Sequence, residues 1–328
     1  MRIFRVHWLL FPLLCVAAAR DGSPGRESHR VFTDPKDAGP DYLVQGEYVG
    51  AAGGRKLGAQ VIALGNGTFR AVFLPGGLPG EGYDGKTRIE SDGKREGDKT
   101  VFTAAGAHGY SVTITGDKLA AKTDTGETFE LHKIERESPA AGAKPPVGAT
   151  VLFDATNADA WKNGKIDSRH LLEAGTKTKR KYQNFRLHVE FLIPFKPTAR
   201  DQERGNSGIY LQDRYEVQIL DTFGHGPEFN GCGSMYRQRA PLVDMCYPPL
   251  RWQTYDIDFT AARFDAAGTK THNAAVTVKH NGVVVQDHYE LTNKTGAGAK
   301  EGPAPGPIQL QGHGNPVFFR NIWAVDRS

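Results

Sequence analysis

Between Asn206 and Asp221 apolar and polar side chains alternate in two adjoining runs, Ser207-Gly208-Ile209-Tyr210-Leu211 and Tyr215-Glu216-Val217-Gln218-Ile219, which meet at the polar pair Asp213-Arg214. Successive side chains of an extended strand point to opposite faces. The pattern therefore predicts two adjoining strands, with Tyr215, Val217 and Ile219 on one side and Arg214, Glu216 and Gln218 on the other. Asp221 stands at the strand end and returns to the polar side only through a bulge. A half-buried antiparallel strand alternates in the same way when its polar face is simply wetted. The pattern alone leaves two options: solvated surface positions, or a carboxylate and an amide presented from a central strand to a groove.

The same reading covers most of the chain. Gln60–Leu64 and Thr68–Leu74 are strand-like runs joined by Gly65-Asn66-Gly67, a hairpin signal. Tyr110–Thr115, Lys118–Lys122 and Thr128–Lys133 repeat it across Gly116-Asp117 and Asp124-Thr125-Gly126. Residues 42–135 are thus expected to form a β-rich N-terminal domain, a meander of hairpins. Within it the Gly-rich piece from Leu74 to Gly85 neither follows a βα unit nor opens a helix, so it reads as a surface loop and not a phosphate loop. Residues 136–149, rich in Pro, Ala and Gly, read as a linker. A second domain, 150–328, carries the alternating run Phe185–Ile193, then Gln253–Thr260, Ala274–His280 with Val283–Gln286 across Asn281-Gly282, and Pro316–Val325. Many short strands with Gly, Pro and Asn turns and no long helical period predict an all-β chain: a C-terminal β-sandwich or jelly roll plus a smaller N-terminal meander.

Composition supports this, since 39 Gly and 19 Pro among 328 residues suit a turn-rich β protein. The net charge of +4 comes from scattered Lys and Arg, without the basic block or aromatic-basic motif of a nucleic-acid binder. Residues 1–19 read as a signal peptide: Arg2 and Arg5, then the apolar stretch Trp8–Val16, then Ala17-Ala18-Ala19. That stretch is too short for a membrane span, and the expected location is secreted or periplasmic. Cys15 would leave with the leader, so Cys232 and Cys246 remain as a disulfide candidate in an oxidising compartment. Dispersed histidines and the lack of closely spaced Cys/His groups argue against zinc, and no cofactor is implied. A structural calcium stays open, because its loop-borne oxygen ligands leave no short signature. There is no Gly-x-Ser-x-Gly elbow.

The stretch Ile308–Trp323 adds chemistry. Gln309 and Gln311 share a strand face, and His313, set between Gly312 and Gly314, could move protons near neutral pH or be an exposed loop residue. Arg320, among aromatics, is either a buried structural cation or an anion stabiliser. Taken in order, Gly205–Leu211, Tyr215–Asp221, Trp252–Ile257, His280-Asn281-Gly282 and His313–Ile322 resemble the 3-keto-disaccharide hydrolase family over about Val151 to Val325. The segment before it resembles a β-rich extension of exported bacterial members.

The resemblance implies a concanavalin A-like jelly roll and a glycoside oxidised to a ketone at C3. Such a ketone acidifies the C2 hydrogen, so a base can form an enolate that expels the C1 aglycone before water adds. Glu216 is then the candidate base and His313 the candidate acid, with Gln218 and Asn206 or Arg320 as donors to the enolate oxygen. Direct displacement would instead pair Glu216 with Asp221. Candidate substrate-binding side chains are Asn206, Tyr210, Gln212, Arg214, Gln218, Gln309, Gln311 and Arg320. The rival expectation is a non-catalytic, lectin-like glycan-binding module.

Overall fold

The computed structural model describes residues 30–103 and 110–328; the expected signal peptide lies outside the described residues. Eight antiparallel strands follow one another as β1 (Gly46–Ala52), β2 (Arg55–Gly65), β3 (Thr68–Pro75), β4 (Ile89–Glu96), β5 (Lys99–Phe102), β6 (Tyr110–Thr115), β7 (Lys118–Thr123) and β8 (Thr128–Ile134). The meander is closed into a barrel, because β1 also pairs with β8 from Glu47 opposite Ile134 to Ala51 opposite Glu130. A short helix α1 (Gly39–Val44) precedes it. Tyr48, Phe69, Phe73, Phe102 and Leu119 fill the barrel interior.

The remaining strands are β9 (Thr150–Phe153), β10 (Trp161–Lys162), β11 (Leu172–Glu173), β12 (Thr176–Thr178), β13 (Phe185–Leu192), β14 (Ser207–Leu211), β15 (Tyr215–Ile219), β16 (Trp252–Thr260), β17 (Arg263–Phe264), β18 (Lys270–His272), β19 (Ala274–His280), β20 (Val283–Leu291), β21 (Gln309–Leu310) and β22 (Phe318–Asp326). They build a sandwich of two antiparallel sheets, with β17 and β18 forming a small ribbon. One sheet runs β10-β12-β21-β14-β15; the other runs β11-β22-β13-β16-β19-β20, with β9 also on β22. Between them the alternation works as expected: Leu187, Val189 and Phe191 of β13 and Tyr255 and Ile257 of β16 share a core with Ile209, Tyr215, Val217 and Ile219.

The barrel and the sandwich are packed together. On β2 and β3, Val61, Ala63, Ala71 and Phe73 enter the barrel core, while Ile62, Val72 and Leu74 join the sandwich core. Strands buried on both faces read as unbroken apolar runs, which explains Val61–Leu64 and Ala71–Leu74. The Gly-rich 74–85 segment is not a free surface loop. Leu78 is fully buried in the sandwich core, and a Cβ at Gly80 would meet Met245 at 2.9 Å. Apolar contact with the sandwich outweighs the turn-rich composition that suggested exposure.

The segment 136–149 is strapped across the outer face of the second sheet. Ser138 Oγ lies 2.6 Å from Thr254 Oγ1, and Ala143 O accepts from Asn321 Nδ2 and Trp323 Nε1, each at 3.1 Å. Glu190, fully buried on β13, accepts from Gly142 N at 2.6 Å, Asn321 Nδ2 at 2.8 Å and Arg320 Nε at 2.7 Å. Burial alone would raise its pKa. The hydrogen bonds, together with His188 beside it, outweigh burial and hold it down at about 2.

Two outcomes follow. Leu78→Ala should cost about 2–5 kcal/mol in a denaturant titration, as deletion of a buried leucine does. Glu190 binds its proton less readily folded than unfolded, so its contribution is full above about pH 4.5 and lost as pH falls towards 2. The stability gap between wild type and Glu190→Gln should therefore shrink by about 3 kcal/mol across that window, followed by denaturant unfolding at each pH.

Candidate functional site

The five-stranded sheet turns its second face away from the core, and direct cross-strand partners share that face. Lys162 pairs with Lys177, Lys177 with Gln309, Gln309 with Tyr210, and Tyr210 with Glu216. The row ends on Tyr236, whose N–H donates to Glu216 O as the segment 233–236 pairs with the outer edge of β15. One polar row thus crosses the sheet, with Glu216 between two phenols. Tyr236 escaped sequence reading because its segment is too short to show a strand period.

Glu216 is only 3% exposed. Its Oε2 accepts the Tyr210 hydroxyl at 2.8 Å, and its carboxyl lies over Gly208, where a Cβ would come within 3.0 Å of Glu216 Cδ. Gly208 is therefore what leaves room for the acid. Burial raises the Glu216 pKa to about 7, against the lowering effect of the Tyr210 hydrogen bond. Tyr210 itself is pushed upward, by burial first and then by Glu216, so it remains a protonated donor. Gln311 Nε2 lies 3.5 Å from Tyr210 Oη, and Gln311 Oε1 is buried without a hydrogen-bond partner among the described residues. Gln309, Gln311 and Tyr236 are half-buried and form the solvent-facing part of the row.

The other expected site residues divide sharply. Gln218 and Asn206 lie on the same face, but their amides are spent: both donate to Gln202 Oε1 at 3.1 Å, and Gln218 also donates to Asn230 O. They shape the site and leave the enolate-donor role unfilled. Gln212 and Arg214 hold the β14–β15 turn, in which Gln212 and Asp213 both take positive φ, 54° and 63°. Such a turn suits the twist of a hairpin and is tolerated by Asp213, but it strains Gln212. Side chains offset the strain: Arg214 donates to Gln212 Oε1 at 2.7 Å, Gln212 Nε2 to Tyr182 O at 2.9 Å, and Lys177 Nζ to Asp213. Both side chains are thus engaged in holding the turn.

Asp221 is locked to Arg204 by a buried ion pair, Nη2 to Oδ2 at 2.6 Å. It lies beyond the end of β15, and its Oδ2 is committed to both Nε and Nη2 of Arg204, whereas a displacement pair needs a carboxylate free to act. Arg320 sits on the opposite sheet, bound to Glu190 and 4.0 Å over the Trp252 ring. It cannot serve Glu216. His313 is exposed on the loop after β21; Gln311 N donates to Gly208 O, a register that carries His313 towards Asn206, just before β14.

Cys232 and Cys246 are buried free thiols, not a disulfide. Tyr255 gives its proton to Gln218 O at 2.7 Å, so Cys232 Sγ, 3.2 Å from Tyr255 Oη, donates to it. Cys246 Sγ lies 3.5 Å from Leu220 O and Tyr247 O, and burial pushes this thiol up. Each sulfur is satisfied as a thiol. No cluster of three or more His, Cys, Asp or Glu side chains suited to a metal occurs among the described residues, and no helix there is long and apolar enough to cross a membrane.

Residues 148–325 match the profile of the 3-keto-alpha-glucoside-1,2-lyase-like domain, more than half of the chain. The chain belongs to that family. A solved structure from Parabacteroides distasonis ATCC 8503, provisionally described as a glycosyl hydrolase, is 34% identical with a TM-score of 0.51, and the match covers 55% of this chain and 84% of that one. A second protein of the same organism and description is 19% identical with a TM-score of 0.40, covering 55% and 94%. No curated protein matches the chain. The family and its solved member make this a carbohydrate-acting, glycosyl hydrolase-like protein. The matched segment contains every residue of the Glu216 row and excludes the barrel.

Because Glu216 holds its proton more tightly folded than unfolded, ionising it opposes folding. Stability should fall as pH rises from about 4.5 to about 7, then level off. Glu216→Gln lacks this loss, so it should gain up to about 3 kcal/mol relative to wild type across that interval. Tyr210→Phe removes the lowering hydrogen bond and should move the midpoint above 7, read by carboxyl carbon NMR titration.

Proposed function

We propose that the chain is an exported enzyme that cleaves 3-keto-glycosides by C2 proton abstraction, elimination of the C1 aglycone and hydration. The observation that carries this reading is the buried Glu216 carboxyl, with a pKa of about 7 in a row of phenols and amides. A base works best when its pKa lies near the working pH. A lectin groove needs no such carboxyl, and the locking of Asp221 to Arg204 weighs against direct displacement. Export rests on the leader-like residues 1–19.

In the proposed sequence Glu216 takes the C2 proton, and the C2–H electron pair moves onto the C3 oxygen as an enolate. The enolate then re-forms the ketone as the C1–O bond breaks, leaving a C1=C2 double bond. The departing oxygen takes a proton, for which His313 is the candidate donor. Water then adds its oxygen to C1 and a proton to C2. Tyr210 fixes Glu216 through its 2.8 Å hydrogen bond. Gln311, with a long contact to Tyr210 and an unpartnered Oε1, is the polar side chain best placed to turn towards a sugar hydroxyl.

Turnover of a 3-keto-disaccharide in deuterated water tests the route. Deuterium at C2 of the released sugar, under conditions that exclude exchange of free product, is expected; its absence would overturn elimination. Glu216→Gln should lower kcat by about 10²–10⁴-fold while sugar binding persists, and kcat/KM of the wild type should rise with pH through about 7. Binding without turnover in the wild type would favour the lectin reading.

A further inference from the structure

The barrel, which lies outside the family match, holds a cavity of about 630 Å³ at one end. That is within the range of roughly 300–1,000 Å³ typical of small-ligand sites, which favour junctions between units. Its walls come from α1, the start of β1, the end of β8 and the tips of the β4–β5 and β6–β7 hairpins. Pro248 and Arg251 of the sandwich complete it. The aromatic and aliphatic residues packed inside the barrel keep a ligand at the mouth.

The lining combines two characters. Tyr42, Val44, Ile114 and Ile134 supply apolar surface. Around them stand charged side chains in equal numbers, four cationic and four anionic among the described residues. All four cations are already engaged: Arg136 donates to Glu47 at 2.6 and 2.7 Å, Arg251 pairs with Glu135 at 2.5 Å, Arg95 pairs with Asp41, and Lys133 Nζ donates to Leu43 O at 2.5 Å. Asp98 and Asp117, on the hairpin tips, add carboxylate acceptors.

A net anion or cation would meet as much repulsion as attraction in such a ring. A purely apolar ligand would desolvate the charges without replacing their lost hydrogen bonds. A ligand that donates and accepts at many points, carries no charge and offers C–H faces meets every demand. We propose that the barrel mouth is a second carbohydrate site, taking a short neutral oligosaccharide apart from the Glu216 row. The choice of ligand class rests on the carbohydrate reading of the sandwich.

The test uses the full chain carrying Glu216→Gln, so that turnover does not interfere. Maltotriose, cellotriose and xylotriose are titrated calorimetrically beside trigalacturonic acid and the glucosamine trimer as charged controls, with amide hydrogen exchange locating the bound ligand. At least one neutral trisaccharide should bind with a dissociation constant of about 1 mM or tighter and protect residues 39–47, 114–117 and 133–136. Leu43→Trp, which fills the rim at a side chain that is 67% exposed, should weaken that binding about tenfold or more without loss of thermal stability. Asp117→Ala should weaken it about fivefold. Binding by the charged trimers alone, protection confined to residues 208–218 and 233–238, or no binding would overturn the proposal. Barrel binding in a chain that turns over no 3-keto-glycoside would sink the lyase reading and leave this one standing; turnover without barrel binding would do the reverse.

Discussion

Two buried glutamates on opposite sheets of one sandwich show what the rest of the molecule depends on: whether a desolvated carboxylate is given donors. Glu190 receives hydrogen bonds from Gly142, Asn321 and Arg320, and its charge is secure. Taking one partner from such a group leaves an uncompensated buried charge, which costs several kcal/mol. Through it β13, β22 and the 136–149 strap are fixed together, and the strap sets where the barrel's last strand meets the sandwich. Glu216 receives one phenol and stays poised between its acid and its base forms. The same side chain is a clasp on one face and a proton carrier on the other, and the count of donors decides which.

The alternation that marked Val217 and Ile219 as core and Glu216 and Gln218 as the opposite face was legible because strand period is local. So were the hairpins at Gly65-Asn66-Gly67 and Asn281-Gly282, whose turn residues carry their own conformational signature. What the chain did not disclose is set by partners far away in sequence. Closure of the barrel needs Glu47 to find Ile134. Asp221 is held by Arg204, and Arg320 by Glu190, partners that lie 17 and 130 residues away along the chain. A carboxylate or guanidinium reads the same in a list of residues whether its counter-charge is beside it or absent. The unbroken apolar runs of β2 and β3 did carry a signal of burial on both faces, and with it of a docked barrel.

Family membership rests on residues 148–325, so the barrel's part has to be argued from its own walls. Its docking through Ile62, Val72, Leu74 and Leu78 makes the two cores neighbours across a pair of strands, and the cavity at its mouth borrows Pro248 and Arg251 from the other unit. A ligand there would touch both units at once.

The pairing of 233–236 along β15 has a consequence for life in crowded solution. An unprotected outer strand is a template on which a second chain can lay down its own backbone, the first step towards aggregation. Here the barrel is a ring with no outer strand, and the strand bearing Glu216 has its free side occupied by Met235 and Tyr236. The segment that sets a phenol beside Glu216 also withholds that strand's backbone from neighbouring molecules.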